Sequence, residues 1–225
     1  MPDIVFLGAH YAHAYRGRKW KALVIATAVR YLEMTETKLF LTANNPLELF
    51  VPMLHFHVAG FERDIATGMG IPGAERQGVH PRAPYLGIFI PGGRGVVANW
   101  PFASAVGKIL HWARGNRRCG ITSRHGAAAL LAANVDKPPG SPFIYGGREI
   151  RLYPDALDSG PNVESGLCPS KPRWCFGERL RYLGVMASNH SFLGSAFLDR
   201  GLITADSAST SGPRRRRLWP RLSAT

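Results

Sequence analysis

The sequence predicts a doubly wound α/β domain built on a mostly parallel sheet, and three observations lead there. Short, nearly unbroken apolar runs at Lys21–Thr27, Phe61–Thr67 and Tyr85–Ile90 have the pattern of strands covered on both faces. Helical stretches alternate with them in the order strand, helix, strand, strand, helix, strand, helix. The fourth of these strands, Cys119–Ser123, passes almost directly into an alanine-rich helix, Ala127–Ala133.

Taken in order, residues 1–19 are aromatic, His-containing and aperiodic, and are expected to form an arm. After the first strand, Asn45 is the N-cap of a helix and Pro46 its first residue. Leu47, Phe50, Val51, Leu54 and Val58 follow at helical spacing, and Gly60 closes it. The third strand ends in the glycine turn Pro91-Gly-Gly-Arg-Gly95. A helix over 102–114 sets Val106, Ile109, Leu110 and Ala113 on one face. A hairpin is expected around Gly146-Gly147, and a helix over Phe176–Leu183 closed by Gly184. The domain thus covers about 20–206. Residues 207–225, with no apolar period and a run of arginines, are expected to be disordered.

Composition narrows the classes. A chain of 225 residues with 45% hydrophobic and 10% aromatic content can bury the core of one substantial domain. No apolar run approaches the ~18–20 residues of a membrane helix, and Met1-Pro2-Asp3 begins no secretory signal, so no membrane association is expected. Three cysteines, Cys119, Cys168 and Cys175, form no disulfide framework and suit a reducing cytoplasm. The formal charge of +13 includes five arginines within the last dozen residues; the others are scattered, among them Arg114, Arg117 and Arg118. A solvated basic surface is therefore expected rather than a nucleic-acid face, and the tail lacks the interleaved aromatics of a stacking platform.

The segment Ile121-Thr-Ser-Arg-His-Gly-Ala-Ala-Ala-Leu130 has the form of a nucleophile elbow: a strand ends, one residue sits on a sharp turn, and a helix starts behind it. That residue points into the crevice at the carboxyl ends of the strands, with a helix N-terminus that would favour a thiolate. Here it is Arg124, which carries no nucleophilic atom at working pH.

Several blocks then carry a family resemblance. Lys38-Leu-Phe-Leu-Thr-Ala-Asn-Asn-Pro-Leu-Glu48, Pro52–Glu62, Tyr85–Gly95, Arg118–Ala132, Tyr153-Pro-Asp-Ala-Leu-Asp158, Trp174–Gly184 and Leu202–Ser207 occur in the order found in the PfpI/ThiJ superfamily, in its HchA branch of glyoxalase/deglycase chaperones. The resemblance implies a flavodoxin-like fold and a homodimer. It also implies glutathione-independent action on methylglyoxal or on methylglyoxal-modified proteins, a holding role for unfolded clients, and a bound zinc. It places the triad on Arg124 (the cysteine position), His125 and Asp158, with Glu48 beside the nucleophile and Gly93 in a turn whose amides would serve an oxyanion. Of the zinc ligands it matches His57 and Glu62; the third lies in a segment missing between Gly70 and Tyr85, where His80 is the candidate substitute. The site is thus incomplete, and no cofactor is expected; Cys168 and Cys175 are expected to be structural.

Three departures shape the functional expectation. Arg124 removes the nucleophile, Arg94 replaces a histidine in the glycine turn, and the family's closing helix gives way to the arginine-rich tail, as in a frame-shifted or degenerated end. The expected protein has lost the cysteine reaction and keeps a binding or chaperone role. Two alternatives are residual acid/base chemistry on dicarbonyls through Glu48 and His125, and nucleic-acid binding through the tail. Arg124 and Glu48 are expected to pair inside the crevice in a two-point fork.

Overall fold

A computed structural model describes Arg16 and residues 20–67, 84–188 and 193–207. Most of the expected N-terminal arm, His80 and the tail beyond Ser207 lie outside the described residues. The strands are β1 (Lys21–Ala26), β2 (Tyr31–Glu33), β3 (Leu39–Leu41), β4 (Glu62–Thr67), β5 (Tyr85–Ile90), β6 (Cys119–Ser123), β7 (Glu149–Arg151), β8 (Met186–Ser188), β9 (Ala196–Asp199) and β10 (Leu202–Ala205). The α-helices are α1 (Pro46–Val58), α2 (Gly95–Asn99), α3 (Ser104–Gly115), α4 (Asp155–Ser159), α5 (Pro161–Glu164) and α6 (Phe176–Tyr182).

The central sheet runs β4-β1-β5-β6-β10-β9. All its pairings are parallel except that of β9, an antiparallel edge. Leaving β9 aside, this is the 2-1-3-4-5 order of a flavodoxin-like sheet, as expected. Side chains alternate across it with the period of two. Leu23, Ile25, Ile88 and Ile90 face the large core formed with α2, α3 and α6. Ala22, Val24, Phe89, Ile121 and Ile203 face a smaller core with Phe56 of α1. Among the described residues no helix is long and apolar enough to cross a membrane.

The expected strands and helices lie within a residue or two of their predicted bounds, with three differences. The segment at Gly146-Gly147 forms no hairpin. Gly147, at φ +68°, donates its amide to the Gly184 carbonyl at 2.8 Å, and β7 then pairs in parallel with the distant β8. The elbow helix starts earlier than expected, at Arg124, and runs to Asn134 as a 3-10 helix. In α1 the apolar stripe is turned outward: Leu47, Phe50, Leu54 and Val58 are exposed, and the helix buries Glu48, Pro52 and Phe56. Asn45 Oδ1 caps the helix by accepting from the Leu47 and Glu48 amides, and the inward Glu48 carboxylate is held by Ser123 and Arg124.

α3 meets the elbow helix through Gly107, where an added Cβ would overlap the Ala132 carbonyl oxygen. Gly107→Ala should therefore cost about 1–3 kcal/mol through overpacking. Gly115→Ala, where nothing lies within 4 Å, should be neutral or gain up to ~1 kcal/mol. Urea unfolding of the two variants checks this, and equal stabilities would contradict the packing described.

Candidate active site at the strand-to-helix elbow

Arg124 follows the last residue of β6 with φ +45°, in the left-handed region where a side chain is held only by surrounding structure. The turn is tight because Gly126 lies against β5: a Cβ there would come within 2.5 Å of the Ile90 carbonyl oxygen. Gly93, at φ +117°, similarly presses on the backbone of 43–45, and a Cβ on Gly92 would overlap the Glu48 carboxylate. The elbow, the glycine turn and the first turn of α1 therefore converge on one carboxylate.

That carboxylate, Glu48, is completely buried. Its Oε1 accepts from Arg124 Nη1 at 2.9 Å, and its Oε2 accepts from Ser123 Oγ at 3.0 Å. Ser123 Oγ in turn accepts from the Gly92 amide at 3.0 Å, so that amide is not free to serve an oxyanion. The expected ion pair is present, through Arg124 Nη1 on one carboxylate oxygen, while Ser123 holds the other. The Arg124 guanidinium lies over the Tyr153 ring, 4.5 Å from its centroid. Burial raises the Glu48 pKa above the usual value, and the pull of Arg124 and Ser123 offsets that only in part.

Beside it, His125 Nε2 lies 2.6 Å from Asp158 Oδ2. Asp158 Oδ1 accepts from Arg94 Nε and Nη2 at 3.0 and 2.6 Å and from Asn162 Nδ2 at 2.8 Å. Burial works against the charge on Asp158, yet His125 and Arg94 together hold its carboxyl well below the usual range. His125 is pushed the other way: burial lowers its pKa, and Arg94 and Arg124 add to that against the pull of Asp158. The imidazole is therefore neutral at pH 7 and donates from Nε2 to the ionised Asp158. It is stacked on Tyr153, with ring centroids 4.6 Å apart.

Arg124, His125, Asp158, Glu48 and Gly93 thus lie around one crevice, with Arg94 beside them. Ser123, Tyr153 and Asn162 were not singled out from the sequence. Ser123 precedes the elbow and Tyr153 opens the block ending in Asp158, so position could have marked both; Asn162 carried no signal. The space left is small. A cavity between Arg94, His125, Asp158, Trp174 and Phe176 measures about 20 Å³, room for roughly one water. Cys175 also lines this cavity, and burial raises all three thiols above the usual value, Cys119 to about 12.

The zinc implied by the resemblance does not fit the described residues. His57 and Glu62 are both exposed, Glu62 Oε2 lies 3.4 Å from Lys21 Nζ, and no group of three His, Cys, Asp or Glu converges among the described residues.

Because its folded pKa is depressed, Asp158 contributes stability that is present above its unfolded value of ~4 and lost as pH falls through the folded value. Asp158→Asn, which leaves Arg94 without its counter-charge, should cost about 3 kcal/mol at pH 7. The deficit should shrink as pH drops below about 4. Urea unfolding at pH 7, 5 and 3 measures it, and a deficit that does not change with pH would contradict the assignment.

No protein-family model matches the chain. It is 36% identical to the protein/nucleic acid deglycase HchA of Pseudomonas aeruginosa (strain UCBPP-PA14), an alignment covering 92% of this chain and 81% of that one. With the protein of the same description from Staphylococcus aureus (strain bovine RF122 / ET3-1) the identity is 33%, covering 93% and 82%. Among solved structures, Rapid Encystment Protein 24 kDa of Francisella tularensis has a TM-score of 0.68 at 18% identity, covering 90% of this chain and 98% of that chain. Glyoxalase III from Candida albicans has a TM-score of 0.64 at 15% identity, covering 88% and 96%. With a flavodoxin-like sheet and more than 30% identity over four-fifths of these relatives, the chain belongs to the HchA deglycase family.

Proposed function

We propose that this chain is an HchA-type protein whose cysteine-dependent glyoxalase/deglycase reaction is disabled and which retains a binding or holding role for unfolded clients. The observation that carries the reading is the Arg124–Glu48 ion pair at the elbow. Conversion of methylglyoxal to lactate by this route needs an electron pair delivered to a carbonyl carbon, and a protonated guanidinium has none to give. The side chain also lies where a dicarbonyl would sit. The His125–Asp158 pair beside it is intact, which is why the loss is assigned to one substitution. His57 and Glu62 have no third donor among the described residues, and the candidate third ligand, His80, lies outside them. A cytoplasmic location accords with three unpaired cysteines.

A second reading has its own support. Glu48 is raised and His125 lowered, the opposed shifts of an acid and a base working at neutral pH, so the pair could act on a dicarbonyl without a covalent intermediate. Lactate formation from methylglyoxal separates the two. The native chain should show no turnover above a protein-free control, and Arg124→Cys should raise it at least tenfold. Glu48→Gln in that background should lower it again. Turnover by the native chain equal to that of Arg124→Cys would overturn the disabled-site reading, and its loss in Glu48→Gln alone would establish the second.

We also propose that the outward face of α1 packs against a second copy of the chain. Leu47, Phe50, Leu54 and Val58 form a stripe on one helix, and a two-fold axis lets such a stripe bury itself. Sedimentation should show a dimer, and Phe50→Glu should shift it towards monomer. A native monomer at micromolar concentration would refute the contact.

A further inference from the structure

At the far side of the sheet from the elbow, the structure gathers arginines that the sequence scatters. Arg114, Arg117 and Arg118 lie at the end of α3 and in the turn after it, Arg148 precedes β7, and Arg200 is in the β9–β10 turn; all five line one cleft of about 370 Å³. The cleft reaches Gly120 and Leu202, at the starts of β6 and β10, and so lies at the amino edge of the strands whose carboxyl edge bears Arg124. Its floor is apolar, with Ile88 and Leu202, and Tyr145 lies beside Arg148.

Counter-charge is scarce in this cleft. Asp199 binds Arg200 through both carboxylate oxygens, at 2.7 and 3.1 Å, and is the only carboxylate that pairs with any of the five among the described residues. Arg148 is buried, and its Nη1 meets the neutral carbonyls of Asp199 and Arg200 at 2.6 and 3.0 Å. Its pKa is lowered, first by burial and then by the neighbouring Arg114 and Arg200, so the cations oppose one another. Arg118 lies over the Trp20 ring, 4.7 Å from its centroid, and its Nε is buried without a hydrogen-bond partner among the described residues. Arg117 adopts φ +52°, at a helix end where glycine is the usual occupant, so a strained backbone holds a long cationic side chain beside the cleft.

We propose that this cleft is a binding site for a small phosphate-bearing anion, with the guanidiniums gripping the phosphate oxygens. Planar guanidinium forks match phosphate geometry, and several of them around one cavity suit more than a single negative charge. The volume is within the range of small-molecule sites. The apolar floor gives room for an organic portion of the ligand. The proposal is independent of any activity at the elbow.

Calorimetric titration of the full chain with inorganic tripolyphosphate, in 0.15 M salt, tests it. One saturable site per chain is expected. The doubly substituted Arg114→Glu, Arg117→Glu protein changes only exposed side chains and should bind at least tenfold more weakly with an unchanged melting temperature. Arg179→Glu, an exposed arginine on α6, should bind within twofold of the native chain. Absence of saturable binding would overturn the proposal, as would equal affinity in the double variant or an equal loss in Arg179→Glu. So would a single-stranded 20-nucleotide DNA binding more than tenfold tighter than tripolyphosphate, since the surface would then be a nucleic-acid face. Should the double variant melt lower, Arg114→Gln and Arg117→Gln taken singly must each still weaken binding at least threefold for the proposal to stand.

Discussion

A carboxylate withdrawn completely from water must be met by donors, and three separate stretches of chain together make the place for Glu48. α1, capped by Asn45, brings it in, the glycine turn leaves room for it by omitting a side chain at Gly92, and the elbow supplies Ser123 and Arg124. The Gly92 amide completes the ring by donating to Ser123. Loss of any one donor would leave charge or a polar atom stranded in low dielectric, at a cost of about 1–3 kcal/mol. The carbonyl edge of the sheet is organised around this one group, and the left-handed backbone at Arg124 is held between Ser123, bound to Glu48, and His125, bound to Asp158.

Arginine on the elbow gives the crevice a fixed positive charge. The guanidinium is a strong donor with no nucleophilic atom, and it takes up the buried Glu48 carboxylate. Arg94 does the same to Asp158, whose first oxygen it contacts through two nitrogens while His125 holds the second. The two arginines are chemically consistent with each other: each gives a buried acid a permanent cation, and together they form two ion pairs in the crevice.

The elements that local chemistry dictates were legible in the sequence. Tyr85–Ile90 and Cys119–Ser123 are strands because their apolar runs are bounded by turns, and α1 starts at Asn45-Pro46 because cap and proline leave no other start. The convergence of Glu48, Arg124, His125 and Asp158 was legible only through the family resemblance, since their separation in the chain says nothing of contact. Long-range effects were not visible. The glycine pair at 146–147 signals a hairpin, but the approach of Gly184 overrides it. Helical spacing found the stripe on α1 without saying whether it faces the sheet, and the position of Asn162 depends on the bend at Gly160. Three of the clustered arginines are neighbours in sequence; Arg200 joins them through the turn before β10, beside β6, and Arg148 through its bonds to the Asp199 and Arg200 carbonyls.

The two ion pairs also connect parts of the chain that are far apart in sequence. Arg124–Glu48 ties the elbow to α1, and Arg94–Asp158 ties the glycine turn to α4. Any widening of the crevice therefore has to separate opposite charges away from water. The pairs act on motion as well as on charge: they make a strut of this edge of the sheet, and the backbone amides around the elbow belong among the slowest of the molecule to exchange with solvent.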